Sequence, residues 1–162
     1  DYVTERSTVQ NFAVQQNLRF NAKIKRVILD GSIGARYWHA TSERKNFQTI
    51  NSFDVTYGLN AQISLPAGFA FNTDCKLYQR EGYSDASMND LRFVANARLE
   101  KTFLRGRLGV ALDGYDIFGG LSNVTKVINA QGIVETWYNS LPSYAMLQIS
   151  YKLSQPPKKR NQ

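Results

Sequence analysis

The chain holds one histidine, His39, three residues before Ser42 and four before Glu43. An outer-surface hydrolase or acyltransferase would need a nucleophilic hydroxyl beside such a base. Neighbours at the end of one strand seldom reach that geometry, and a solvent-facing histidine at a rim is the simpler reading. Asp74, Glu100 and Asp113 are carboxylates that paired acid–base chemistry could use. Arg36, Arg92 and Arg98 occur on the same polar alternation, however, and are better read as their charge partners. The stretch "GYDIFGG" (114–120) carries glycines, but no helix follows to present an N-terminus to a phosphate. Cys75 is the only cysteine, so it forms no internal disulfide, and no Cys/His cluster has metal-ligand spacing. The expectation is a protein without catalysis, metal or cofactor.

Such residues need elements to position them, and composition narrows these. The 162 residues suffice for one sizeable domain. Hydrophobic residues make up 43% and mean hydropathy is −0.39, with no apolar run long enough for a spanning helix. Asp1 opens no basic-then-apolar leader, which fits a mature chain, a fragment or a protein never exported. Nine Tyr, nine Phe and only four Pro favour extended strands over disorder. The net charge of +7 raises nucleic-acid or anionic-lipid binding. Much of the excess falls in "SERKN" (42–46) and the tail "PPKKRNQ", and the aromatics mostly share the apolar rather than the charged positions. Nucleic-acid binding is not expected.

Alternation of apolar and polar residues recurs along the chain. In "NFAVQQNLRFNAKI" (11–24), Phe12, Val14, Leu18, Phe20, Ala22 and Ile24 oppose Gln15, Asn17, Arg19, Asn21 and Lys23. The pattern repeats in 26–38, 53–65, 69–80, 91–103, 107–118 and 144–153, and no amphipathic helix intervenes. About seven long strands follow, with short turns at Lys25-Arg26, 66–68 and 105–106 and long loops near 40–49, 81–90 and 119–142. The fold class is all-β, an antiparallel up-and-down meander.

The apolar faces could look into a core or out into lipid. Lipid is favoured because the alternating runs reach about eleven to eighteen residues, against about five or six in soluble sheets. Short turns on one side and long loops on the other are the asymmetry of a transmembrane β-barrel. Phe20, Phe69, Phe103 and Tyr151 on the turn side, with Tyr37, Phe53 and Phe93 on the loop side, resemble two interfacial girdles. Arg36, Asp74, Arg92, Arg98, Glu100 and Asp113 would face the lumen. Gln16, Thr73 and Lys101 are the outward exceptions, and Lys101 is near enough to a turn to snorkel.

The first strand begins on the loop side and the last ends on the turn side, so the strand count is odd. Bacterial barrels usually have an even count and tolerate no open edge in lipid. Residues 1 to 6 are too few for another crossing. Residues 1–153 are therefore expected to be the C-terminal part of a larger barrel, joined to upstream strands, with 154–162 a disordered basic tail. The alternative is a self-contained small barrel, membrane-borne or soluble, binding a hydrophobic ligand.

The end of the chain is more specific. "YDIFG", the turn "NAQG" (129–132), "ETWYN" and the final "PSYAMLQISYKL" together resemble the C-terminal end of TonB-dependent receptor-like outer membrane β-barrel proteins, particularly those of the Bacteroidetes. The likeness covers roughly the last quarter of the chain. It implies a cell outer membrane location and uptake of a nutrient or ligand through a barrel occupied by a plug domain. An energy-coupling protein and a surface lipoprotein would be partners. It also implies that the last strand, with Leu147, Ile149, Tyr151 and Leu153 as its apolar stripe, is read by the insertion machinery. Neither a plug nor an energy-coupling box can be pointed to in these residues. The loops around Arg44, Tyr83 and Trp137 are the expected ligand contacts.

Overall fold

The alternating stretches form strands because a period of two puts every second side chain on one face of a pleated ribbon. The computed structural model describes residues 8–43, 48–129, 132–139, 141 and 143–153. Arg44 and the basic tail 154–162 lie outside the described residues. The strands are β1 (Val9–Ile24), β2 (Val27–Ser42), β3 (Ile50–Ser64), β4 (Phe69–Glu81), β5 (Leu91–Phe103), β6 (Leu108–Tyr115), β7 (Val124–Asn129), β8 (Gly132–Trp137) and β9 (Tyr144–Tyr151). Seven of them make one antiparallel sheet in the order β1-β2-β3-β4-β5-β6-β9. The other two, β7 and β8, form a separate hairpin within the segment that joins β6 to β9.

Three tight turns link the sheet strands on one side, and each uses left-handed backbone. Lys25 has φ 52°, Ala67 and Gly68 have 59° and 78°, and Leu104, Arg105 and Gly106 have 52°, 55° and 84°. These are the turns the sequence places at Lys25-Arg26, 66–68 and 105–106. The turns do not all fall on one hydrogen-bonded row. Ile24, Val27, Ile63, Phe71 and Leu99 are register partners from β1 to β5. The chain turns immediately after Ile24, whereas β3 runs on to Ser64 and β5 continues four residues past Leu99 to Phe103.

Register sorts the faces. Directly opposite residues share a face, so the row above continues through Leu112 and Leu147 as an unbroken apolar line. Gln16 and Thr73 interrupt this face mildly, and the Thr73 hydroxyl donates back to the Asn96 carbonyl at 2.7 Å. Phe20 is set well in from its turn and lays its ring over Gly31 on β2, filling the gap left by a residue without Cβ. It is therefore less a girdle residue than Phe69, Phe103 and Tyr151, which end their strands. On the loop side Phe118 packs on Phe93, ring centroids 5.5 Å apart, and extends the aromatic row there. The stripe of β9 ends sooner than its alternation suggests: Leu153 lies beyond the strand and is 90% exposed.

The sheet is open. β1 and β9 are its edges, and both run from the loop side to the turn side.

β6 ends earlier than the sequence pattern, at Tyr115. Asp116 takes φ 44°, and after this bulge the chain continues in the same direction along the upper part of β5, with the Ile117 N–H donating to the Ala95 carbonyl at 2.9 Å. Gly120 passes so close to β5 that a Cβ there would fall on the Phe93 carbonyl, which is backbone and cannot yield. Gly120→Ala should therefore dislodge this segment and lower the folded fraction seen as the mobility difference between unheated and boiled samples in electrophoresis. At Gly106 a Cβ would meet nothing within 4 Å. Gly106→Ala should cost only left-handed backbone strain of about 1 kcal/mol and leave that fraction nearly unchanged.

Candidate functional site

The polar face is a lattice of charged and amide side chains fixed by the same register. Arg36 faces Asp54, Asp74 faces Asn60 and Asn96, and Arg98 faces Asn72 and Asp113. Arg92 faces Tyr78, and Glu100 faces Ala111, on the same side of the sheet. Arg36, Asp74, Arg92, Arg98, Glu100 and Asp113 therefore share one face of the sheet.

Their partners are more local than composition suggests. Arg98 is the hub: its Nη1 donates to both carboxylate oxygens of Asp113 at 3.0 and 3.1 Å and to Gln148 Oε1 at 3.0 Å. Its Nε reaches Glu100 Oε2 at 3.3 Å. Asp113 is 4% exposed, so its charge depends on this arginine. Asp74 accepts from Asn96 Nδ2 at 2.9 Å rather than from an arginine. Arg92 Nε stands 2.7 Å from Asp90 Oδ2, but its N–H is not aimed there, so this is an ion pair without a hydrogen bond. The Arg36 guanidinium lies 5.6 Å from the centre of the Trp38 ring, and that of Arg92 lies 5.7 Å from Tyr78.

A second cluster closes the loop side. Tyr83 is expected from sequence to be an open ligand contact, yet it is 6% exposed. Its hydroxyl donates to Asp54, with both oxygens at 2.9 Å, and its ring lies under the Arg80 guanidinium at 4.5 Å. Arg80 Nε contacts Asp54 at 3.3 Å, and its Nη1 reaches the Lys126 carbonyl at 3.4 Å. Lys126 in turn holds Ser87 Oγ and Glu135, each at 2.8 Å. This chain of contacts ties the β7–β8 hairpin to the β4–β5 loop. Trp137, at the end of β8, is 74% exposed.

Sequence reasoning missed Asp54 and Asp116. Asp116 is 3% exposed and uses its carboxylate to accept the N–H groups of Gly120 and Leu121 at 2.8 and 3.0 Å. Its own N–H donates to Asn96 Oδ1 at 2.8 Å, and its carbonyl accepts the Ser143 hydroxyl. An Asp three residues before a Gly-Gly pair was the available signal for this turn. "GYDIFGG" thus folds into a carboxylate-capped corner that fastens the start of the long loop and the start of β9.

The enzyme-like residues are dispersed. His39 Nδ1 is 2.6 Å from Asn51 Oδ1. Ser42 is on the opposite face of β2 by alternation, and Glu43 Oε2 accepts the Thr8 N–H at 3.3 Å. Among the described residues no three His, Cys, Asp or Glu side chains are grouped to hold a metal.

Two outcomes follow. In a double-mutant cycle with Arg98→Ala and Asp113→Ala, measured by urea unfolding from lipid, the coupling should be about 1 kcal/mol, since Arg98 stays partly wet. On the loop side, the Ser87 hydroxyl and then its N–H hold the exposed Asp85 carboxyl below the ordinary aspartate range, and the Glu135 carboxylate raises Lys126. A lowered carboxyl stabilises above its unfolded value and loses this as pH falls through the folded one. Hydrogen exchange at the Ser87 amide should accordingly quicken, relative to the sheet, once pH drops below the normal aspartate value. At the alkaline end, the contribution of Lys126 is complete below its ordinary value and fades only as pH climbs through its raised one.

No helix among the described residues is long and apolar enough to cross a membrane. A model of an outer membrane protein beta-barrel family matches residues 4–151, which include every strand. No curated protein and no solved structure matches the chain. With its seven-stranded antiparallel meander, apolar outer rows and charged inner lattice, the chain belongs to the outer membrane protein beta-barrel family and resides in the outer membrane.

Proposed function

We propose that this chain is part of the wall of an outer membrane receptor or transporter barrel that takes part in nutrient or ligand uptake, with no chemistry of its own. The observation that carries this reading is the direction of the two edge strands. β1 and β9 run the same way, so direct pairing would be parallel. Antiparallel closure needs an odd number of strands between them, and an open edge in lipid leaves backbone groups without partners. Upstream strands of the same protein would supply them.

A larger barrel leaves a lumen to fill. The charged lattice around Arg98 and Asp113 suits water or the polar surface of a plug domain better than a hydrophobic ligand. The β7–β8 hairpin, braced through Lys126 and carrying exposed Trp137, is a site for ligand capture at the mouth. The resemblance of the last quarter of the chain to TonB-dependent receptor-like barrels supports the same reading, with an energy-coupling protein and a surface lipoprotein as partners.

An antibody against this segment should detect, in the outer membrane fraction of the source cells, a band several times larger than 18.4 kDa. A band near 18.4 kDa would replace this reading with a self-contained small barrel. A hydrolytic or transferase activity lost specifically in His39→Ala would overturn the non-catalytic assignment.

A further inference from the structure

The long loop between β4 and β5 turns inward rather than standing above the wall. Gly82 sets this direction: its φ is 82°, and it passes so close to β3 that a Cβ would fall on the Asn51 carbonyl. Beyond it Tyr83 and Met88 are 6% and 1% exposed. The Tyr83 hydroxyl reaches Asp54, which shares the inner face with Arg36. Toward the loop side of that face Ala40, Ile50 and Ser52 are each 1% exposed.

The loop is one preformed piece. Its neck is closed by Arg80 and Asp90, which exchange backbone hydrogen bonds at 2.9 and 3.1 Å. Within it the Tyr83 N–H donates to Asn89 Oδ1 at 2.9 Å, and Asn89 Nδ2 donates back to the Tyr83 carbonyl at 2.8 Å. The Ser87 N–H and hydroxyl both donate to Asp85. Two clasps fasten this piece: Tyr83 to Asp54 beneath it and, from the β7–β8 hairpin, Lys126 to Ser87 at 2.8 Å. The fit against the wall is nevertheless incomplete. The buried polar side-chain atoms without a partner among the described residues are Ser52 Oγ, Asp90 Oδ1 and Arg92 Nε. Ser52 lies on the face the loop rests against, and the other two stand at or next to its neck. A buried polar atom left unpaired is unfavourable, and water would reach all three if the loop lifted.

We propose that residues 82–89 form a hinged lid over the inner wall at the barrel mouth, shut by the Tyr83–Asp54 and Lys126–Ser87 clasps and opening about the Arg80–Asp90 neck. Closed, the lid seals Ala40, Ile50 and Ser52 from the lumen. Opening hydrates the three unpaired atoms, which offsets part of the cost of releasing the clasps. The internal hydrogen bonds let the loop move as a unit instead of unravelling. Lys126 also joins the lid to the hairpin that carries Trp137, so displacing that hairpin releases the upper clasp. The lid requires the polar face to be the inside of a barrel. It depends neither on the total strand number nor on what the barrel transports.

The test uses the native protein that carries this chain, in the outer membrane of its source cells. Cys75, on the apolar face, is removed by Cys75→Ser, and that variant serves as the blank. Ser52→Cys then places a thiol under the lid without breaking a hydrogen bond. A charged, membrane-impermeant methanethiosulfonate is added to the cells and the labelling rate is followed. Ser52→Cys should react at least about tenfold more slowly than Ser84→Cys, which is exposed on the lid itself. Adding Tyr83→Phe or Lys126→Gln should each speed the Ser52→Cys reaction about tenfold. Lys126→Arg should leave it nearly unchanged. Asn60→Cys, exposed farther down the same face, should keep its rate throughout. Folding is checked by the unheated electrophoretic form, and Ile50→Cys replaces Ser52→Cys if the latter does not fold. Equal rates at Ser52→Cys and Ser84→Cys, no labelling of the covered thiol in any variant, or a rate indifferent to both clasps would overturn the proposal. A parallel rise at Asn60→Cys would overturn it too, by assigning the change to loosening of the whole wall.

Discussion

Hydrocarbon offers no water to an unpaired N–H or C=O, and each such group costs several kcal/mol (on the order of 2–7). Everything else in this sheet is arranged around that constraint. It forces the strands to pair along their whole length, and pairing fixes register. Register fixes faces, because a slip of one residue would turn Arg36, Arg92 and Arg98 outward and Leu99, Leu112 and Leu147 inward. The apolar line from Ile24 to Leu147 and the polar line from Gln62 through Asn72 and Arg98 to Asp113 are two readings of the same ladder. The segment after β6 obeys the constraint too. Where β6 leaves the sheet, residues 117 to 120 take over the upper edge of β5 through the Ile117–Ala95 hydrogen bond, and the carboxylate of Asp116 gathers the amides that this detour frees.

The two faces are stabilised by different means. Outside, side chains are sorted by solubility and need only be apolar, so packing there is loose enough to accept Gln16 and Thr73. Inside, several charges are held near specific counterparts, and the interactions differ in kind: a hub at Arg98, a guanidinium over a ring at Arg36, an amide partner for Asp74. The loop side behaves like a small soluble protein attached to this wall. Tyr83, Asp54 and Arg80 form a half-buried polar cluster, and Lys126 extends it to the β7–β8 hairpin, so the two long loops are set in place together.

Most of the sheet was legible from sequence because its information is local. A period of two and a turn every dozen or so residues do not depend on distant contacts, so the seven strands, the three tight turns and the hairpin around 129–132 could be read directly. The same locality explains the errors. β6 was read three residues too long because Phe118 is in phase with the apolar alternation of Leu108, Val110 and Leu112, while the left-handed turn at Asp116 is held by Asn96 and Ser143, both remote in sequence. Tyr83 looked like an open loop aromatic because nothing nearby announces Asp54, 29 residues earlier, as its hydroxyl partner. The lumen carboxylates were matched to arginines by type alone, and only Arg98 took the expected role.

The stagger of the turns has a geometric consequence. Along one hydrogen-bonded row from β1 to β5 the turns recede by four residues over four strand spacings. If the turns sit at one level of the membrane, a rise of about 3.3 Å per residue against about 4.8 Å per strand inclines the strands by roughly 35° to the barrel axis. One residue of offset per strand is also the ratio of shear to strand number at which eight-stranded barrels close with a tilt of about 36°. At that slope an apolar band of about 25 Å is crossed in roughly nine residues. The 16 residues of β1 and of β2 are therefore nearly twice what the membrane requires. Their upper halves stand as a collar above the lipid, and it is on this collar, rather than within the bilayer, that the loop-side cluster is built.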